Sequence, residues 1–501
     1  MGIIARQSIK GAVANYIGVA IGFFTTFFVL TDCLTQEEIG LTRVMVDASM
    51  LLSSIAQLGT NSSIIRFFPW FKDGNRNHGL FGLTLLLPFI GFAIVTAIVL
   101  LFKGGIVEAY SQQSPLIVDY LYLLLPLTFF ALYLTVFETN ASVLMRIAVP
   151  KAVREVGIRL FNLVCYLLYG HGVIGLDAFV LLFCGSYGLA MLLNLFYLLS
   201  LGKVSLRIDF KGVDRRVWKD LVLYTLLMTV TALAANVQLI NSLLLGAKTG
   251  LALTGVYTIA FYIANIVEVP YRSLGAISRP KVANAVKDDD WREVNRLTQQ
   301  VSLHQLIVSL MIFYIIWINL DALFGIIPHG DEYSGGMTVV FILGMAKVVY
   351  SSFSIALDTL NFSRHYVFSL FFNVLLTAAA IVLNIKLIPI AGINGAALAT
   401  LLSYVLFYAV LLSFVGWRLK VSLFSRQQLW AVLIMAALFV LNYLWSVGVE
   451  PLWGDGTAAM LANALLKTLL LVVVGIVAIY KSKLSPDINQ ILSKLLKLNT
   501  H

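Results

Sequence analysis

The chain has 501 residues, of which 60% are hydrophobic and only 12% are charged. Soluble domains average about 45 to 50% apolar and about 25% charged residues, so the composition excludes a soluble enzyme and indicates a protein whose solvent is lipid. The net charge of +10 would also suit a nucleic-acid partner. The positions of Lys and Arg along the chain give that charge a different cause.

Fourteen apolar stretches are long enough to cross a bilayer, since a helical crossing needs about 20 residues. They fall near residues 9–31, 39–65, 79–102, 116–140, 155–171, 176–200, 219–246, 251–272, 301–326, 337–360, 366–386, 393–416, 428–447 and 458–480. The pattern predicts an all-α polytopic membrane protein with fourteen transmembrane helices.

The basic residues follow the predicted helices. If the N-terminus is cytoplasmic, 29 of the 35 Lys and Arg residues fall on segments that face the cytoplasm. Cytoplasmic loops of membrane proteins carry an excess of these residues. The bias therefore predicts both termini inside the cell, explains the positive charge by topology, and argues against nucleic acid.

Two pairs of glycines indicate an internal repeat. Gly40 and Gly255 lie 215 positions apart, and Gly172 and Gly392 lie 220 apart, each pair at matching places on the helix map. Similar offsets favour a six-helix unit used twice, as in two-lobed transporters. We expect a first lobe at 1–202, a cytoplasmic linker at 203–218, a second lobe at 219–420, two further helices at 421–480 and an amphipathic cytoplasmic tail at 481–501.

Short segments spread over nearly the whole chain resemble the polysaccharide transporter branch of the multidrug/oligosaccharidyl-lipid/polysaccharide (MATE-like) superfamily. They are residues 34–41 (LTQEEIGL), 58–59 with 64–67, 257–260 with Pro270 and Pro280, and Asn384 with 387–397. The resemblance implies two lobes around a central cavity and alternating access. It also implies an undecaprenyl-pyrophosphate-linked oligosaccharide as cargo, such as an O-antigen, capsule or exopolysaccharide repeat unit, in the bacterial inner membrane.

Lys347 lies in the middle of the tenth predicted span. A charge at this depth costs about 2.5 to 3.5 kcal/mol on insertion scales, so it needs a reason. An ammonium that faces a cavity would attract the pyrophosphate of the carrier lipid. A structural pair with a carboxylate from another helix explains the residue equally well. Asp358, eleven residues later, is three helical turns away and too distant to be that carboxylate.

Other ionisable residues in or near the spans have plausible local partners. Arg43 and Asp47 are four residues apart, which favours a pair with each other over contact with cargo. Arg159, near the inside end of the fifth span, is a second cavity candidate, and snorkelling to the headgroups is the alternative. Glu268 and Arg272 are also four apart and are expected to form a structural pair or a cytoplasmic gate.

Uncharged polar residues cluster in the seventh and eighth spans. They are Asn236, Gln238, Asn241, Tyr257, Tyr262 and Asn265. Amides and tyrosines that face a cavity suit sugar hydroxyls, which need both donors and acceptors. Hydrogen bonds between helices are the alternative for each residue.

Motifs of catalysis are lacking in the sequence. There is no Gly-Lys-Ser or Gly-Lys-Thr, so no P-loop, and the six histidines lack metal spacing. We therefore expect no enzyme, cofactor or metal, but a monomeric flippase whose partners are lipid-linked oligosaccharide, membrane lipids, a polysaccharide polymerase and glycosyltransferases. The alternatives are a lipid II flippase and a cation-coupled multidrug exporter. The exporter is opposed by the first span, which has no acid before Asp32.

Overall fold

The computed structural model describes residues 13, 17–73, 76–77, 80–202, 219–222, 224–225, 228–229, 238–453 and 456–495. Nearly all of these residues are helical. The strands among them are a two-residue antiparallel pair, Lys72–Asp73 with Arg76–Asn77. The described chain divides into two compact units, Met1–Thr258 and Ile259–His501, which are taken in turn.

The first unit contains the helices that precede the middle of the chain. They are α1 (Ile17–Cys33), α2 (Gln36–Ala56), α3 (Thr60–Phe71), α4 (Leu80–Leu101), α5 (Lys103–Ser111), α6 (Pro115–Val143), α7 (Ile158–Gly170), α8 (Leu176–Ser200), α9 (Leu239–Lys248) and the start of α10 (Leu251–Asn265). The short segment Ala148–Ala152 and the π-helical turn Val153–Gly157 lead into α7, and a second π-helical turn, Thr25–Val29, lies within α1.

The second unit begins within α10 and continues through eight further helices. They are α11 (Val269–Lys287), α12 (Trp291–Ile318), α13 (Leu320–Ile326), α14 (Met337–Phe362), α15 (Phe368–Leu419), α16 (Arg426–Gly448), α17 (Thr457–Lys481) and α18 (Pro486–Leu495). The 3-10 turn Ile266–Glu268 separates α10 from α11, and the short segments Gly330–Tyr333 and Ser334–Gly336 precede α14.

The helices confirm the predicted fold class. Ten helices in the described part of the chain are long and apolar enough to cross a membrane, and α1 and α9 are shorter apolar helices. α15 runs for 52 residues but breaks at Gly392, where φ is +53°. Glycine adopts this backbone conformation at little cost, so α15 holds two of the predicted spans. The protein is a multi-pass membrane protein.

Side-chain caps fix where several helices begin. Thr35 and Glu38 form a capping box at the start of α2, because each side chain bonds the backbone N–H of the other at 3.3 and 2.9 Å. Ser425 and Gln428 do the same for α16. Ser485 accepts a hydrogen bond from the Ile488 N–H at 3.4 Å, as its place before Pro486 suggests. These contacts satisfy N–H groups that a helix start leaves unpaired.

The starts of α2 and α10 cross at two glycines. A Cβ atom on Gly40 would lie 2.1 Å from the carbonyl oxygen of Leu251, and one on Gly255 would lie 2.1 Å from that of Gln36. Small residues let transmembrane helices approach this closely. Gln36 and Leu251 are separated by the same 215 positions as the two glycines, so the helices meet through equivalent residues. The contact fits an internal repeat, while the lobe boundaries drawn above remain predictions.

Candidate functional site

Lys347 lies in the apolar helix α14 with only 2% of its surface exposed. Its Nζ atom is 2.8 Å from Oε2 of Glu268 and 5.5 Å from the centre of the Phe261 ring. The ten residues from the start of α14 to Lys347 rise about 15 Å, half of a hydrocarbon core about 30 Å thick. Lys347 therefore has the carboxylate partner that the sequence analysis gave as the structural alternative, and its contact with cargo remains a prediction.

Glu268 reaches Lys347 because the backbone changes geometry there. It ends the 3-10 turn Ile266–Glu268, in which the Val269 N–H bonds the carbonyl of Ile266. Pro270, in the first turn of α11, has no N–H to continue the α-helical pattern. The resulting break between α10 and α11 is where the Glu268 side chain meets α14. The predicted contact of Glu268 with Arg272 falls on a side chain outside the described part of the structure.

Among the described residues, three side-chain contacts between α14 and the segment from the end of α10 through α11 share one spacing. Besides Lys347 with Glu268, Tyr350 packs against Tyr271 with 5.4 Å between ring centres. Nearer the predicted cytoplasmic end, Arg279 Nε lies 2.8 Å from Oδ2 of Asp358. The partners in each contact are 79 positions apart, so the two segments run parallel in a single register. We call these three contacts the α14 ladder.

The ladder also explains Asp358, which is too distant to serve Lys347. Arg279 donates one hydrogen bond to the carboxylate of Asp358 and another to the hydroxyl of Tyr271. Burial lowers the pKa of Arg279, but the hydrogen bond and negative charge of Asp358 more than offset this and hold that pKa above its usual value. The guanidinium is therefore charged under all physiological conditions, and Asp358 is a structural partner on the second unit.

Arg43 and Asp47 form a pair inside the first unit. The Arg43 Nε atom lies 2.6 Å from Oδ2 of Asp47. Asp47 is buried, with 3% of its surface exposed. The same carboxylate oxygen accepts a hydrogen bond from Ser242 Oγ at 2.6 Å, which ties α2 to α9. The sequence analysis missed Ser242, because nothing in a sequence marks a partner 195 positions away.

Asp47→Ala is expected to lower the free energy of unfolding by about 3 to 5 kcal/mol, since it leaves a buried guanidinium without this carboxylate. Chemical denaturation in detergent would measure the change. Glu293→Ala is the control, because Glu293 pairs with Arg296 at 2.6 Å on an exposed surface and such pairs contribute little. Equal stability of the two variants would show that the Arg43 contact is not structural.

Arg159, at the start of α7, has one partner in α1 and another in the turn that leads into α7. It donates to the backbone carbonyl of Gly18, and its Nη2 atom lies 3.2 Å from Oε2 of Glu155. Glu155 is four residues earlier, a spacing at which helical side chains meet, and the sequence analysis overlooked it. The side chain of Arg159 is 36% exposed, so it is the most accessible of the charged candidates whose side chains the structure describes.

The polar cluster of the seventh and eighth spans is described in part. Asn241 donates to the hydroxyl of Tyr257 at 3.0 Å, and both residues are buried in the first unit. Gln238, Tyr262 and Asn265 are half-buried. Asn236 lies outside the described residues. The Asn241 contact is one of the interhelical hydrogen bonds given as the alternative to sugar binding.

A second buried lysine lies in α17. Lys467 is 6% exposed, and its Nζ atom is 3.7 Å from Oε1 of Glu450. Asn463 donates to the same carboxylate at 3.1 Å and accepts from Trp445 at 3.0 Å. Lys467 therefore resembles Lys347 in burial and pairing while lying near the other end of the second unit's sequence.

No metal centre accompanies these charges in the described part of the chain, where no group of three His, Cys, Asp or Glu side chains is placed to hold an ion. An open pocket of about 410 Å³ lies at the turn between α11 and α12 and is lined by Lys281, Asp288, Glu293 and Arg296 among others. It is a charged surface on the predicted cytoplasmic side and does not include Lys347.

No protein-family model and no curated protein sequence matches the chain, but solved structures match its fold. The lipid II flippase MurJ, inward closed, aligns with a TM-score of 0.71 at 10% identity, over 95% of this chain and 100% of that one. An inward-facing multidrug resistance MATE family transporter of the MOP superfamily gives 0.57 at 15% identity, over 81% and 98%. The Vibrio cholerae MATE transporter VcmN gives 0.52 at 12%, over 84% and 98%. The chain has the fold that these transporters share.

Proposed function

We propose that the protein is a flippase that moves an undecaprenyl-pyrophosphate-linked oligosaccharide across the bacterial inner membrane by alternating access. The observation that carries the proposal is Lys347, a cation held at mid-membrane depth in α14 beside the break between α10 and α11. An anionic headgroup cannot cross hydrocarbon without compensation for its charge. The Lys347 ammonium is a donor of positive charge at the depth where the pyrophosphate needs it, once the cargo competes with Glu268 for it.

The ion pairs of two intramembrane acids, Glu268 and Asp47, argue for this proposal over drug export. A cation-coupled exporter of cationic drugs needs a negative site, whereas Glu268 is neutralised by Lys347 at 2.8 Å and Asp47 by Arg43 at 2.6 Å. A lipid II flippase is the second candidate, since the structure that aligns over 95% of this chain bears that name. Both candidates are flippases of lipid-linked cargo, and they differ in the sugar.

Topology and partners follow from the same proposal. Both ends lie in the cytoplasm, as the 29 basic residues on one side indicate. The protein acts as a monomer, because one chain carries both predicted lobes. Glycosyltransferases supply the cargo and a polymerase consumes it outside.

The experiment is to follow the leaflet distribution of lipid-linked oligosaccharide in cells that lack the protein. We expect the cargo to accumulate in the inner leaflet and to reach the outer leaflet again when the wild-type chain is restored. Cells that carry no second flippase for the same cargo are required as host. Normal delivery to the outer leaflet in the deletion strain would exclude this function, and accumulation of lipid II instead would establish the second candidate.

A further inference from the structure

The pair of Lys347 and Glu268 is neutral as a whole and almost closed to solvent, with 3% and 13% of the two side chains exposed. If Lys347 receives the pyrophosphate of the cargo, its ammonium must contact a diester that carries two negative charges. Glu268 would then add a third negative charge within hydrogen-bond distance of the same ammonium. Several uncompensated charges at this depth are far more costly than one ion pair.

Resting on the proposed function, we propose that the pyrophosphate of the cargo replaces Glu268 on Lys347, and that Glu268 takes up one proton from water as it is displaced. The carboxylate becomes a neutral carboxylic acid, and the bound cargo keeps the ammonium. When the cargo leaves, Glu268 returns the proton to water and pairs with Lys347 again. The empty and the loaded site therefore differ by one proton.

The surroundings of Glu268 suit a carboxyl group that changes charge. Tyr271 follows it by three residues in α11 and packs against Tyr350 of α14, with 5.4 Å between ring centres. A tyrosine hydroxyl can bond a carboxylic acid as well as a carboxylate. From α12, Leu306 and Leu310 belong to the same buried apolar cluster as Val267, the residue before Glu268.

The titratable residues next to Glu268 in the described part of the chain include Lys347, Tyr271 and Tyr350, and Arg272 follows one turn later in the sequence. Free lysine, tyrosine and arginine side chains do not titrate between pH 6 and 8. The Phe261 ring, 5.5 Å from Nζ, can stay with the ammonium whichever anion it binds. Glu268 is thus the group in this set whose protonation can follow cargo binding.

The rest of the α14 ladder explains why the exchange does not loosen the helices. Tyr350 with Tyr271 and Arg279 with Asp358 remain in contact when Lys347 releases Glu268. The Arg279 contact lies eleven residues along α14, about 16 Å away. It keeps the register between α14 and α11 while the first contact opens.

The test is the pH dependence of binding by the full chain in lipid nanodiscs. The probe is a short-chain prenyl pyrophosphoryl-N-acetylglucosamine, a diester that does not titrate between pH 6 and 8. Uptake of one proton on binding makes the affinity rise as the pH falls, by up to about tenfold per pH unit. Glu268→Gln should bind more tightly than wild type at pH 8 and show no dependence on pH.

A control variant replaces His304, one of the histidines of the second unit. His304 bonds Ser485 at 2.7 Å next to α18, so His304→Gln should keep the wild-type dependence. Proton uptake is also measured directly on the wild-type chain in weak buffer, where we expect about one proton per bound probe at pH 8. This measurement stands even if the Glu268 variant does not fold.

The outcomes separate the two proposals. Wild-type binding without proton uptake, or an unchanged pH dependence in Glu268→Gln, would overturn the exchange and leave the flippase proposal standing. Failure of the wild-type chain to bind the probe at any pH would overturn both. Proton uptake that disappears in Glu268→Gln would establish the exchange.

Discussion

Replacing Lys347 by Met is expected to slow delivery of lipid-linked oligosaccharide to the outer leaflet by about 100-fold, because truncating one member of a buried charge pair at a binding site costs about 2 to 5 kcal/mol. Methionine keeps most of the length of the side chain and removes the charge. Glu268, left without the ammonium, can take up a proton, and this limits the loss of stability. The rate is measured by labelling of outer-leaflet cargo in proteoliposomes.

Lys467→Met is the matched control for this prediction. Lys467 is also a buried lysine with a glutamate as ion-pair partner, at 3.7 Å, so its variant likewise removes a buried ammonium from an apolar helix. It lies in α17, outside the lobes predicted to hold cargo, and its variant should retain flipping close to that of wild type. An equal loss of flipping in both variants, at equal amounts of folded protein, would show that Lys347 acts through structure.

Gly40→Ala and Gly255→Ala are each expected to lower the free energy of unfolding by about 3 kcal/mol, the upper range for overpacking. Each new Cβ atom would lie 2.1 Å from a backbone carbonyl oxygen of the other helix, more than 1 Å inside ordinary contact. Neither atom can move by rotating a side chain, so the helices must separate. Thermal unfolding in detergent measures the loss.

The double variant is the sharper part of this prediction. Once one alanine has separated the two helices, the second meets less resistance, so the combined loss should be smaller than the sum of the two. Gly185→Ala in α8 is the control, since no heavy atom lies within 4 Å of its added Cβ, and its stability should match wild type. Two variants as stable as this control would rule out the close crossing of α2 and α10.

The sequence predicts the helices well because crossing a bilayer demands long apolar runs. α14, for example, covers the predicted span at 337–360. Contacts within one helix were also accessible, as Arg43 with Asp47 shows. The pair of Glu155 and Arg159 had the same four-residue spacing at the start of the predicted span 155–171, and it was missed.

The partners of the buried charges could not be predicted in this way. Spacing offered Arg272 as a partner of Glu268, but it gave no sign of the contact that the structure shows between Glu268 and Lys347. That contact depends on the 3-10 turn before Pro270 and on the parallel packing of α14, which are properties of the folded chain. The glycine repeat predicted similar helices, but the sequence alone held no evidence that Gly40 and Gly255 pack at one crossing.

The α14 ladder constrains the spacing of residues more strongly than their identity. Glu268 at the end of the 3-10 turn, with Tyr271 and Arg279 in α11, repeats the intervals of Lys347, Tyr350 and Asp358 in α14, with the signs of the charges exchanged. One residue inserted between Tyr271 and Arg279 would turn the guanidinium about 100° away from its partner. Chains too divergent to align by identity could therefore be compared by the spacing of these residues. In both segments, two residues lie between the first and second positions, and seven lie between the second and third.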